Sequence, residues 1–204
     1  MAAPVRLYVY DITQGMARAL SPMLMGRQID GVWHTGITVY GNEYFFGGHG
    51  ISYVPQGQMG IGPPTEILEL GNTEIPEDLF NEFLVELSTD RFRGDRYHLL
   101  HHNCNNFSNE VAQFLTGKPI PSHITNLPDE VMNTPFGQQI RPMIEAMMGQ
   151  MNNQGQHPFE TTTTEPPPPP PPATGSQQGS GSRQQQQQQS SKPNQHMKDD
   201  LDLD

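Results

Sequence analysis

Cysteine is almost missing from this chain of 204 residues: Cys104 is the only one. A disulfide framework within the chain is therefore excluded, and a reducing, intracellular compartment fits best. Long apolar runs are missing as well. No stretch of 18 apolar residues occurs, so no membrane-spanning helix is expected. The N-terminal MAAPVRLYVYDI has neither the charged start nor the apolar centre of a signal peptide. Basic residues are scarce, with Lys+Arg 11 against Asp+Glu 22 and a net charge of −11. That sign disfavours nucleic acid, which needs a basic face. Between Phe46 and Gly62 the glycines match neither GxGxxG nor GxxxxGKS, so no phosphate-cradling loop is present.

What is there is unevenly spread. Of the first 154 residues, 63 are apolar or aromatic, an ordinary share for a globular domain, against 5 in the last 50. The first part can bury a core, whereas the second cannot offset its own ordering entropy. One domain over residues 5–148 and a Pro/Gln-rich, disordered tail over 149–204 are expected. The tail carries Pro166–Pro172, Gln184–Gln189 and a final KDDLDLD. Its plain reading is a solvated spacer. The sharper one is a polyproline II ligand for an SH3- or WW-type groove.

Local patterns divide the first part into elements. RLYVYDI (6–12) and WHTGITVY (33–40) predict strands, the latter turning at Gly41-Asn42 into a hairpin partner at 43–46. A short or broken helix is expected over 15–25, with Ser21-Pro22 interrupting the spacing of Met16, Ala19, Leu20, Met23 and Leu24. Residues 46–62 hold six glycines and read as a loop with short extended pieces. A short strand is expected at 66–70. Residues 76–89 predict an amphipathic helix with the stripe Leu79, Phe80, Phe83, Leu84 and Leu87, capped by Asn72 or Thr73. A second helix runs over 104–116, with Phe107, Val111, Phe114 and Leu115 on one face and a stop at Gly117. Two helical pieces broken around Thr134-Pro135 are expected over 127–148. Residues 97–100 fit either an extended or a helical state.

Cys104 stands at a helix start, where free amides and the helix dipole favour an anion, which predicts a lowered thiol pKa. A nucleophile also needs a base. His101 and His102 are near in sequence only, His49 sits in the glycine loop, and His157 and His196 lie in the tail. His34 is on rigid strand backbone, sharing a face with Gly36 and Thr38, and the small Gly36 would leave room for the element that bears Cys104. Taken alone, Cys104 reads equally well as a small buried hydrophobe, and His34 as a hydrogen-bonded strand histidine. A zinc site from His101, His102 and Cys104 is conceivable, although no paired CxxC supports it. No cofactor is called for.

LYVYDITQGMARALSP (7–22), VWHTGITVYGNEYFFG (32–47), FRGDRYHLLHHNCNNFSNEVAQFLTGKPIP (92–121) and LPDEVMNTPFGQQIRP (127–142) together resemble the PPPDE-type cysteine peptidases, specifically the short desumoylating isopeptidases of eukaryotes. The resemblance covers most of residues 5–145 and leaves the tail without a counterpart. It implies an α+β, permuted papain-like fold with a small antiparallel sheet packed with helices, and a catalytic dyad carried over onto His34 and Cys104. It also implies cleavage of SUMO or ubiquitin conjugates, with thioester cleavage (a protein S-acyl thioesterase) as the alternative, and a homodimer. A non-catalytic adaptor acting through the proline run is the reading from another class. No third residue that would orient His34 is apparent. The backbone N–H of Cys104 is the expected oxyanion donor, and the glycines of 47–62 a wall for an extended substrate tail. Residence in cytoplasm and nucleus is expected: the chain has no basic import cluster, yet at 22.8 kDa it is small enough to reach both.

Overall fold

The computed structural model describes residues 2–154. Of the expected tail, everything beyond 154, the proline run included, lies outside the described residues. Five strands form one antiparallel sheet: β1 (Ala3–Asp11), β2 (Trp33–Val39), β3 (Asn42–Gly47), β4 (Gly50–Pro55) and β5 (Glu66–Thr73), in the order β4-β3-β2-β1-β5. The helices are α1 (Met16–Met25), α2 (Glu77–Thr89), α3 (Cys104–Thr116), α4 (Ser122–Thr125), α5 (Leu127–Met132) and α6 (Pro135–Gln154), with one 3-10 turn at Gly94–Arg96.

The apolar run in β1 is nearly unbroken because both faces of the strand are covered. Val5, Leu7 and Val9 enter the main core with Ile37, Val39, Phe46 and, from the helices, Phe80, Phe107, Val111 and Ile124. Tyr8 and Tyr10 point the other way into a smaller cluster with Met59, flanked by Phe45 and Ile61. Alternation along a strand thus serves two apolar layers. At the core centre Phe46 and Phe92 meet edge to face at 5.0 Å, while Phe83 and Phe114 stack at 3.8 Å between α2 and α3.

Several expectations change. In the segment 46–62, expected as a loop with short extended pieces, one such piece is a regular strand. Ile51 to Val54 pairs with β3 as β4, and the chain reverses through Gly47 and Gly50. Gly94 presses against that reversal, since a Cβ there would lie 2.1 Å from the Gly48 carbonyl oxygen. Helix α1 is continuous through Pro22, and its apolar residues do not enter the core: Met16 is 63% and Met23 78% exposed, with Leu20 and Leu24 exposed beside them. No side chain caps α2. Thr73 instead accepts from the Ile75 amide, and of the expected stripe Phe80 and Leu87 are buried whereas Leu79 is exposed. The break between α5 and α6 falls at Thr134-Pro135 as the sequence predicts, and Pro142 is carried inside α6. Residues 97–100 are neither strand nor helix: a turn joins His98 to His102 by an isolated bridge.

Candidate active site

Helix α3 begins at a side-chain cap. Asn103 Oδ1 accepts from the Asn105 amide at 2.9 Å and the Asn106 amide at 3.3 Å, while Asn106 Oδ1 accepts from the Asn103 amide at 2.9 Å. This reciprocal box satisfies donors that a helix start otherwise leaves open. The Asn103 carboxamide also donates to the Leu99 carbonyl at 2.8 Å, fixing the turn that leads into the helix. Cys104 follows as the first helical residue, and only 5% of it is exposed.

What places Cys104 against the sheet is a gap in strand pairing. Strand β3 pairs with β2 only from Ile37 to Val39, so the upstream edge of β2 has no strand beside it. The first turn of α3 takes that place. Asn105 Nδ2 donates to the Trp33 carbonyl at 3.1 Å, and Thr35 Oγ1 donates to Asn105 Oδ1 at 2.9 Å, with Ser108 Oγ a further 2.9 Å contact of the same hydroxyl. The Thr35 amide faces the Cys104 sulfur. His34, the residue before Thr35, therefore sits on the same stretch of strand edge as the thiol.

The His34 ring leans to the face opposite α3. It lies 6.0 Å, edge to face, from Phe45 and 6.3 Å from Tyr10, its cross-strand partner. Tyr10 is itself held, its phenol donating to Glu43 Oε1 at 2.8 Å. The fully buried Glu43 also accepts, through Oε2, from the Gly57 amide at 3.0 Å, which draws the loop after β4 onto this face. Gly36 is small because of Glu43: a Cβ there would lie 2.7 Å from Glu43 Oε1. The room beside the imidazole is thus filled from β3, not by the helix bearing Cys104, which approaches along the strand edge instead.

Electrostatics set both groups toward their neutral forms. Burial pushes the Cys104 thiol up to about 11, against amides of Thr35, Asn105 and Cys104 that lower it. The helix-start effect expected from sequence is present but is outweighed by loss of water. Burial likewise pushes His34 down to about 4, although the residue as a whole is only half-buried, which tempers that push. Burial also raises Glu43, with the hydrogen bonds from Tyr10 and Gly57 opposing it.

The conceivable zinc set does not converge. The ring of His102 hydrogen-bonds the Arg91 carbonyl at 2.7 Å and stacks on Phe92 at 4.6 Å, and His101 stands beside Glu145, whereas Cys104 is turned to β2. Thr35, Tyr10 and Glu43 went unnoticed in the sequence, whereas the asparagines flanking Cys104 (Asn103, Asn105 and Asn106) stand out there as hydrogen-bonding side chains around it. For Glu43 the signal was a lone charge in the otherwise apolar run EYFF.

The family model described as "PPPDE putative peptidase domain" matches residues 3–145. The chain is 54% identical over 144 residues to a protein named desumoylating isopeptidase 1 from Homo sapiens, covering 71% of this chain and 86% of that one. It is 52% identical over 143 residues to desumoylating isopeptidase 1 of Xenopus laevis, covering 70% and 85%. A desumoylating isopeptidase 1 homolog of Caenorhabditis elegans is 37% identical over 121 residues, covering 55% and 36%.

Proposed function

The chain belongs to the PPPDE peptidase family, and on that premise we propose that it is a cysteine isopeptidase cleaving the bond between the C-terminal glycine of SUMO and a substrate lysine, with Cys104 as nucleophile and His34 as base. The observation that carries this reading is the docking of α3 on the open edge of β2, which sets the Cys104 sulfur against the amide next to His34. Relatives named for desumoylation favour SUMO over ubiquitin as the modifier.

The resting pair is a neutral thiol and a neutral imidazole, because burial opposes both charges. Proton transfer from Sγ to the imidazole then accompanies attack on the glycine carbonyl rather than preceding it. A C–S bond forms, and negative charge moves to the carbonyl oxygen. The Cys104 amide at the helix start is the donor best placed for that oxyanion, since the next two amides are already held by Asn103. Collapse breaks the C–N bond, and the imidazolium returns its proton to the lysine amine. Water, deprotonated by His34, hydrolyses the thioester and frees the glycine carboxylate and the thiol. The loop around Gly57, tied to Glu43, lies on the His34 face and forms a wall for the extended modifier tail.

A homodimer belongs to the same proposal. The exposed Met16, Leu20, Met23 and Leu24 of α1 are the apolar surface a second copy would cover. The proline run 166–172 is proposed as a ligand for an SH3- or WW-type partner. A thioesterase for fatty acyl groups would need an apolar wall at the sulfur, whereas Asn105 Oδ1, at 3.7 Å, and the Thr35 amide face it. The test is incubation with SUMO and with ubiquitin bearing C-terminal electrophiles. A covalent SUMO adduct, lost in Cys104→Ser, is the expected result, and no adduct with either modifier would overturn the reading.

A further inference from the structure

The turn just upstream of Cys104 is closed on itself. The His98 amide donates to the His102 carbonyl at 2.8 Å, and the His102 amide to the His98 carbonyl at 2.9 Å. Closing the turn in this way brings the side chains of His98 and His101 to the same side, where their rings stack at 4.7 Å with 24° between planes. Helix α6 passes alongside and adds Glu145. Its Oε2 is 3.0 Å from His98 Nε2, and its Oε1 is 4.0 Å from His101 Nε2. One ligand-type atom from each of the three side chains falls within 4.8 Å of the other two. Three donor side chains from two separate elements thus lie together at one place.

We propose that His98, His101 and Glu145 form a binding site for a divalent transition-metal ion, with Zn2+ the best match. Two imidazole nitrogens and one carboxylate oxygen are a donor set that suits zinc and not magnesium or calcium, which take oxygen ligands. A tetrahedral Zn2+ with bonds of about 2.0–2.1 Å holds neighbouring donor atoms roughly 3.3 Å apart. The observed separations bracket that figure, so closure asks only for ångström-scale swings of His101 and Glu145, both of which are exposed. Water fills the fourth position on the solvent side. One local contact is given up. The Leu100 amide now donates to His98 Nδ1 at 3.3 Å; ligation through Nε2 moves the ring proton to Nδ1 and releases that long bond. A bound ion would tie α6 to the turn that runs into the Asn103 cap, so its effect is to clamp the segment in front of Cys104.

The proposal is independent of the peptidase reading, and its test does not use activity. The full chain carrying Cys104→Ser, which removes the one thiol, is stripped of metal with a chelator. It is then titrated with Co2+, followed by visible absorption, and with Zn2+ in competition. One equivalent is expected to bind, Mg2+ and Ca2+ are expected not to compete, and Zn2+ is expected to raise the melting temperature. His98→Ala, His101→Ala and Glu145→Gln, each added to that background, are expected to weaken binding by at least about tenfold. His101 and Glu145 are exposed, so those two variants keep the metal-free melting temperature and remain informative if His98→Ala unfolds. Unchanged affinity in His101→Ala or Glu145→Gln would overturn the site and assign the metal to other histidines, such as those at 157 and 196. Absence of binding at micromolar Zn2+ would overturn it outright.

Discussion

Asn105 Nδ2 donates to the carbonyl of Trp33 at 3.1 Å, so a helix side chain completes the strand edge that β3 leaves unpaired. The same carboxamide accepts from Thr35 Oγ1. The residue next to the candidate nucleophile is therefore the clasp that holds the helix start against the strand bearing the candidate base.

Asn105→Ala removes both bonds and leaves the part-buried Trp33 carbonyl without its donor and the buried Thr35 hydroxyl without one acceptor. A loss of about 1–3 kcal/mol in stability is expected. Isopeptidase turnover is expected to fall further than stability does, because the spacing of sulfur and imidazole depends on this contact. Urea unfolding and turnover of a SUMO conjugate, measured side by side, check it. Equal turnover in folded wild type and variant would show that the clasp does not set the site.

Neutral resting forms of Cys104 and His34 carry a pH signature that can be measured. Burial pushes Cys104 up to about 11 from its ordinary 9.0, so the folded protein should alkylate with iodoacetamide at a rate that keeps rising well above pH 9. A thiolate plateau between pH 5 and 7 would contradict it. His34 is pushed down to about 4 from 6.5. The unfolded chain then takes up its proton first as pH falls, and the stability this histidine contributes is present above pH 6.5 and lost toward pH 4. Unfolding of wild type and His34→Gln across that window should show the wild type losing more.

Tyr10 and Glu43 hold the face on which His34 lies. Tyr10→Phe keeps the ring and deletes the hydroxyl, leaving the Glu43 carboxylate one donor short inside the protein. A cost of about 1–3 kcal/mol is expected, with a larger effect on kcat than on KM. Glu43→Gln keeps the shape and should restore part of that stability in the Tyr10→Phe background, because it removes the buried charge. Thermal melts of the two single variants and the double variant measure the coupling.

Gly94→Ala tests the packing of the 3-10 turn on the β3–β4 reversal. The added Cβ would meet backbone, the Gly48 carbonyl oxygen at 2.1 Å, rather than a side chain that can swing away. Overpacking of this kind costs about 1–3 kcal/mol. Unchanged stability in a denaturant melt would mean that the turn and the reversal separate freely.

Much of the fold follows from pattern. The alternation in WHTGITV, the stripe in α3 and the Thr134-Pro135 break each fix an element locally and lie where the pattern predicts, whereas the hairpin turns one residue earlier than expected, at Tyr40-Gly41, with Asn42 already paired to Val39. The misplaced expectations share a cause. Helical spacing in α1 shows that its apolar residues share a face but not whether anything covers it, and here Met16 and Met23 remain exposed. The glycines of 46–62 suggested a loop with short extended pieces, and pairing to β3 makes one of those pieces a full strand, with Tyr53 and Val54 opposite Tyr44 and Glu43.

Sequence by itself determined the family, the division into a foldable part and a polar tail, and Cys104 and His34 as the residues to consider, because residue types in fixed spacing carry that information. Tertiary structure alone decided the direction in which burial shifts Cys104 and His34, and the placing of the helix. The thiol pKa depends on how much water the folded chain removes, which opposes the helix-start effect that sequence can foresee. The position of Cys104 depends on an unpaired strand edge, and an edge exists only once the register of β2 and β3 is set.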